Sequence, residues 1–182
     1  KAGVAAMSVL TNNQYFGGSI EDLLLARSAC NLPLLRKEFV VDTYQIHEAK
    51  AYGADAILLI AACLQPSEIQ ELAQTANDIG LDVLLEIHNK EELDKSPLDF
   101  VQVVGVNNRN LNDFSVSLET SVSLAKHIPS NKVKISESGI SSHKAIKTLL
   151  EVGFDGFLMG EHFMLHDSPG NAAEEFIKTF TI

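Results

Sequence analysis

Leu32-Pro33-Leu34-Leu35-Arg36-Lys37-Glu38-Phe39 is the stretch from which the architecture unfolds. Its apolar run, Leu32 to Leu35, predicts a short strand buried on both faces, and the run stops abruptly at a cation, Lys37. A lysine at the mouth of a buried strand either snorkels into water or is held against chemistry. The spacing of similar endings decides between the two. Further strand-like runs end in Glu86, in Asn107 with Arg109 two residues on, in Glu137-Ser138 and in Gly160. From Glu86 onward successive endings lie roughly 20–30 residues apart, near the size of one strand–helix unit, and the 49 residues from Lys37 to Glu86 hold two. Strand ends repeating at that interval would gather on one face of a parallel barrel, where such folds keep their active sites.

Outward from Lys37, the chain supplies seven such strands, each followed by helix. Ala5 to Leu10 reads as the first strand, and Phe16-Gly17-Gly18-Ser19 as a loop with Ser19 capping the next helix. Asp42 stands three residues before Gln45 in a capping-box arrangement, and that helix ends at Gly53 as a left-handed residue. Ala56–Ile60 and Val83–Glu86 are strands around a helix opened by Pro66 and ended by Gly80; a short polar helix covers Glu91–Leu93. Val101–Val106, Lys132–Ser136 and Gly156–Met159 complete the strands, with helices over Val116–His127, Ser142–Val152 and Ala172–Phe180. Unalternating Val/Ile/Leu runs mean strands covered on both faces, as in a parallel sheet with outer helices. The expected fold is α/β, a TIM (βα)8-type barrel formed as a single domain over residues 1–182. Such barrels have eight units and usually about 250 residues. Seven units in 182 residues predict a missing unit upstream of Ala5.

The totals narrow the function. A 46 % hydrophobic, 21 % charged composition belongs to an ordinary soluble globular protein. A formal charge of −10 and a pI near 5.0 argue against a nucleic-acid surface. They leave room for a small anionic molecule, which a few cations and backbone amides can hold. Cys30 and Cys63 lack the spacing of a zinc site or disulfide framework and read as reduced, mostly buried thiols of a cytoplasmic protein. The six histidines show no metal-ligand spacing, no apolar run reaches membrane length, and Lys-Ala-Gly-Val is not a signal peptide.

Candidate chemistry sits at the strand ends. Gly139 and Gly160 leave the last two strands, the second into a one-turn helix, where barrels commonly bind phosphate. Ordinary turn glycines are the competing reading. Lys37 and Glu86 lie two strands apart, so both can project into the mouth as general acid and base. A structural ion pair there is the alternative. Asn107 can orient a hydroxyl or carboxylate, and Arg109 can fork onto a planar carboxylate, unless the two belong to a plain polar loop. Phe16 can cover an aromatic ring or pack in the core.

Taken together, Met7-Ser-Val-Leu-Thr11, Phe16-Gly-Gly-Ser19, Leu34-Leu-Arg-Lys-Glu-Phe39, Gly53-Ala-Asp-Ala-Ile-Leu-Leu-Ile60, Leu84-Leu-Glu-Ile-His88, Gly105-Val-Asn-Asn-Arg109, Ser136-Glu-Ser-Gly-Ile140 and Phe157-Leu-Met-Gly160 resemble indole-3-glycerol phosphate synthase, in order and along the whole chain. The resemblance implies a tryptophan-pathway lyase without cofactor or metal. Such an enzyme turns 1-(2-carboxyphenylamino)-1-deoxyribulose 5-phosphate into indole-3-glycerol phosphate. It implies Lys37 as the general acid, Glu86 as acid/base and Asn107 as an orienting group. Phe16, Leu58 and Arg109 match substrate-contacting positions, and Glu137 and Ser138 belong to the mouth. Gly139, Gly160 and Glu161 fall where phosphate is held. The chain departs from the family where aspartate is commoner than Glu38 and where a small residue is usual near Glu161. Nothing corresponds to the family's first strand, with its second catalytic lysine and a glutamate. On this resemblance the chain reads as a fragment of a working synthase, with the activity belonging to the full-length protein; two other readings stand beside it, a non-catalytic barrel remnant that binds phosphate and a phosphate-binding epimerase or isomerase. The sequence leaves the oligomeric state open.

Overall fold

A computed structural model describes residues 2–111 and 113–180. The backbone is α/β, with seven parallel strands in chain order, seven of the eight units of a (βα)8-type fold. It divides into two compact units.

The first unit comprises Ala5–Glu86 and Glu91–Val103. It carries β1 (Met7–Leu10), α1 (Asn13–Phe16), α2 (Ile20–Ala29), β2 (Leu34–Lys37), α3 (Thr43–Ala51), β3 (Ala56–Ile60), α4 (Pro66–Asp78), β4 (Asp82–Ile87) and α5 (Lys90–Lys95). β1 pairs with β2, β2 with β3 and β3 with β4, all parallel. β2 lies two residues later than the apolar run suggested. Pro33 has no N–H to give a ladder, and its carbonyl instead receives Met7 N–H at 3.0 Å at the edge of the pairing. The shift puts two cations inside the strand, on opposite faces. Arg36 is 4 % exposed and points into the helix layer, where it donates to the Gln45 carbonyl (2.8 Å) and to Glu48 Oε2 (2.7 Å) of the α3 region. Lys37, its neighbour, faces the other way.

Helix starts follow the sequence closely. Ser19 and Asp22 cap each other reciprocally, as do Asp42 and Gln45, and Glu68 accepts from Gln65 N–H at 2.6 Å before the Pro66 turn. Gly53 closes α3 at φ +91°, the left-handed conformation expected there. The one-turn α1 was not anticipated: four residues are too few to show a helical period, though Asn12 caps it by accepting Tyr15 N–H at 2.9 Å. β3 and β4 are buried nearly throughout, as their apolar runs predict. β1 is not; Ser8 and Leu10 are exposed while Met7 and Val9 are half-buried.

The second unit is built chiefly from Ile87–Lys90 and Val104–Ile182. It holds β5 (Val103–Asn107), α6 (Glu119–Leu124) with a 3-10 turn over Ala125–His127, β6 (Val133–Glu137), α7 (His143–Glu151), β7 (Gly156–Leu158), α8 (Glu161–Met164) and α9 (Pro169–Thr179). β6 and β7 pair in parallel, with Glu137 opposite Leu158. The helix expected from Val116 begins at Glu119 instead. Val116 is taken by an antiparallel bridge to Arg109, closing a hairpin-like loop through Phe114 at φ +58°. α9 starts at Pro169, earlier than the expected Ala172, because proline suits a first helical turn. The cysteines also depart from expectation: Cys63 is exposed and Cys30 only half-buried, both as free thiols. Among the described residues no helix is long and apolar enough to cross a membrane.

Candidate active site

Strand alternation assembles the first group of side chains. The registers set Leu35 opposite Ala56, Leu58 opposite Leu84 and Ile60 opposite Glu86. Counting by twos along each strand places Lys37, Leu58 and Glu86 on one face of the sheet. Arg36, Ile57, Leu59 and Leu85 then take the helix-covered face. Lys37 Nζ lies 3.4 Å from Glu86 Oε2, with the two side chains 18 % and 6 % exposed. The expected pair is therefore formed across the intervening strand, with Leu58 buried on the strand between them.

Around this pair the loops are tied down by Glu38, a residue the sequence marked only as a departure. Its carboxylate accepts from Thr11 Oγ1 (2.9 Å), Asn12 Nδ2 (2.8 Å) and Phe39 N–H (2.9 Å). Arg36 Nε in turn donates to Thr11 Oγ1 at 3.1 Å. The longer glutamate thus links the exits of β1 and β2. Phe39 follows directly and carries two aromatic neighbours. Phe16 stacks on it with 5.6 Å between centroids and 9° between planes, and Tyr15 meets it edge-on. Phe16 is exposed, so the core-packing alternative does not describe it. Burial pushes the Cys63 thiol up, and the carboxylates of Glu86 and Glu92 push it further while Lys95 opposes them. The residue itself is exposed.

The second unit holds the remaining candidates. Asn107 Oδ1 accepts Arg109 N–H at 3.0 Å, an Asx turn at the exit of β5. Arg109 then reaches the Phe114 carbonyl (3.4 Å) and Glu161 Oε2 (3.2 Å). Glu161 is 74 % exposed, and its carboxylate is drawn aside onto this guanidinium. Glu137 is buried, and Ser138 and Gly139 turn the chain at φ +67° and +71°. Gly139 is a true steric glycine, because a Cβ there would stand 2.3 Å from Val116 Cγ1. Gly160 is different: its φ is −123° and a Cβ would meet nothing within 4 Å, so open space lies above it. It leads into the one-turn α8, as expected. Gly139 and Gly160 thus leave paired neighbouring strands at the same end.

One residue of this group was passed over. Asn108, between the two candidates, is 2 % exposed and hydrogen-bonded on every polar side-chain atom. A polar triplet in a loop gives no sign of which member turns inward. Among the described residues no three or more His, Cys, Asp or Glu side chains are grouped to hold a metal ion.

Comparison with known proteins supplies the family. The family model described as indole-3-glycerol phosphate synthase matches residues 1–176. An indole-3-glycerol phosphate synthase of Bacteroides thetaiotaomicron is 47 % identical over 179 residues, which are 97 % of this chain and 68 % of that protein. One of Delftia acidovorans is 45 % identical over 168 residues, covering 92 % and 63 %. The chain thus spans about two thirds of the length of the curated relatives it matches. Among solved structures, one titled "Native KDPGal structure" superposes with a TM-score of 0.68 at 15 % identity, covering 97 % of this chain and 82 % of that one. A designed cube-shaped protein cage gives 0.67 at 17 %, covering 97 % and 62 %. At those identities the likeness concerns the fold alone. The family match over nearly the whole chain goes further, and on it the chain belongs to the indole-3-glycerol phosphate synthase family.

Proposed function

We propose that the protein is an indole-3-glycerol phosphate synthase, a carboxy-lyase of tryptophan biosynthesis acting in the cytoplasm. Its substrate would be 1-(2-carboxyphenylamino)-1-deoxyribulose 5-phosphate. In the reaction the carboxylate-bearing ring carbon attacks the ketose carbonyl carbon, and CO2 leaves as aromaticity returns. The former carbonyl oxygen then departs as water, and a proton is lost as the pyrrole double bond forms. The balance is redox-neutral, so positioned acids and bases account for each step.

The observation that carries the reading is Lys37 Nζ at 3.4 Å from Glu86 Oε2, in a chain of this family. Lys37 is the proton donor to the ketose oxygen, first as it becomes a hydroxyl and again as it leaves. Glu86 holds that ammonium in place and takes the proton released on dehydration. Leu58 and Phe16 pack against the aromatic ring, and Asn107 and Arg109 orient the carboxylate end. Glu137 and Ser138 line the mouth, while backbone N–H groups near Gly139 and Gly160 receive the phosphate. Glu161, adjoining that site, is kept off the phosphate by its pairing with Arg109. The partner class is a small anionic molecule, in keeping with a chain of charge −10 that offers nucleic acid nothing to grip.

The test follows indole fluorescence as the full-length protein consumes the carboxyphenylamino substrate. Lys37→Met should lower turnover by about 10²–10⁴-fold, the usual contribution of a general acid. Wild-type turnover in that variant would remove the proposed acid.

A further inference from the structure

The second unit contains a closed ring of hydrogen bonds that the catalytic assignment does not use. Asn108 Nδ2 donates to Ser136 Oγ at 3.0 Å, Ser136 and Ser121 hydroxyls lie 2.7 Å apart, and Ser121 Oγ donates to Asn108 Oδ1 at 2.8 Å. Two backbone groups fix the direction of this ring. Ser121 N–H can only donate, and it reaches Oδ1 at 3.2 Å; the Ser138 carbonyl can only accept, and it receives Nδ2 at 3.0 Å. With the amide so oriented, Ser136 must donate to Ser121. Each bond then runs the same way round, the arrangement in which neighbours polarise one another. All three residues are 2 % exposed or less, so no water competes.

The ring has one arm that leaves it, and that arm holds Ser138. Ser138 adopts φ +67°, a conformation uncommon outside glycine, at the exit of β6. The Asn108 backbone grips the same turn, its N–H donating to the Glu137 carbonyl at 2.9 Å, while its carbonyl accepts Ser117 N–H at 3.0 Å. Through one residue the exit of β5, the start of α6 and the turn Glu137–Ser138–Gly139 are joined.

We propose that Asn108 is a positioning residue: its side-chain amide holds the Glu137–Ser138–Gly139 turn in the geometry that receives substrate. The claim rests on the synthase reading for its kinetic consequence, but not for its structural one. Asn108→Asp keeps the acceptor for Ser121 and removes both donors, setting a carboxylate oxygen against the Ser138 carbonyl. Ser121→Ala breaks the ring elsewhere and leaves the bond to Ser138 in place.

The experiment compares both variants of the protein by steady-state kinetics, thermal midpoint and amide hydrogen exchange. Asn108→Asp should raise KM and lower kcat/KM by about tenfold or more, since displaced positioning groups act on that scale. Ser121→Ala, with a comparable fall in thermal midpoint, should stay within about threefold, because the Ser138 bond is untouched. Exchange at residues 137–139 should quicken in Asn108→Asp and not in Ser121→Ala. Should Asn108→Asp fail to fold, Asn108→Ser, too short to reach the Ser138 carbonyl, gives the same reading. Loss of activity in both variants in proportion to stability, or wild-type KM in Asn108→Asp, overturns the proposal. If the full-length wild type itself makes no indole product, the synthase reading falls, and the exchange at 137–139 still decides the role of Asn108.

Discussion

Replacing Gly139 by alanine adds one methyl group at a point where the backbone and a neighbour both object. The backbone term is φ +71°, which disfavours alanine against glycine by about 1 kcal/mol. The packing term is a Cβ 2.3 Å from Val116 Cγ1, where ordinary contact begins at 3.4 Å, so Val116 must retreat by 3.4 − 2.3 = 1.1 Å. Overpacking of this kind costs about 1–3 kcal/mol. Together Gly139→Ala should lose about 2–4 kcal/mol, or roughly 5–15 °C in thermal midpoint for a chain of this size. The two terms separate cleanly. In Val116→Ala the offending methyl is gone, and the nearest remaining atom is Cβ at 3.6 Å, ordinary van der Waals distance. Val116 is already exposed, so its own truncation should cost only about 0.5–1 kcal/mol. The double variant should therefore be more stable than the sum of the singles by about 1–3 kcal/mol. Urea unfolding of the four proteins measures that coupling. Additivity within about 0.5 kcal/mol would mean that the loop from Arg109 to Val116 does not rest on the Gly139 turn, and the reasoning would fail.

Other outcomes follow from the same geometry. Arg36→Met should destabilise by about 3 kcal/mol in urea unfolding, the low end for breaking a buried pair because Glu48 keeps some contact with water. Cys63 should alkylate more slowly than an unhindered thiol at neutral pH and speed up as pH rises, since burial and then Glu86 and Glu92 favour the protonated form. Removing one of those carboxylates, in Glu86→Gln, lowers the thiol's pKa and should quicken iodoacetamide labelling at fixed pH. Glu161→Ser should tighten inhibition by inorganic phosphate by about two- to fivefold, a modest gain because the Arg109 pair it dissolves is exposed. Unchanged inhibition would detach Glu161 from the anion site.

Legibility varied with how local the controlling force is. Ser19, Asp42 and Pro66 announced their helices because a cap is written within one turn. Lys37 and Glu86 could be placed together because strand endings recur at a steady interval. β2 was read two residues early, since hydrophobicity suggested Leu32–Leu35 while strand pairing and the absent N–H of Pro33 selected Leu34–Lys37. A buried arginine within a strand runs against propensity, and only the fold brings Glu48 to it. Val116 is expected to open a helix, but its bridge to Arg109 wins. Asn108 was least visible of all, because its partners Ser121 and Ser136 are brought to it from 13 and 28 residues away.

Side-chain caps at the helix starts shape how the protein can change. Ser19 with Asp22, Asp42 with Gln45, Glu68 with Gln65 and Ser142 with Ala145 N–H each close a helix from within its own first turn. The segments between β1 and α2 and between β2 and α3 carry Phe16 and Phe39, and neither residue is needed to start the helix that follows. Variation there can retune what is recognised while the scaffold behind it stays wound, which makes these connections the natural place to graft a new specificity.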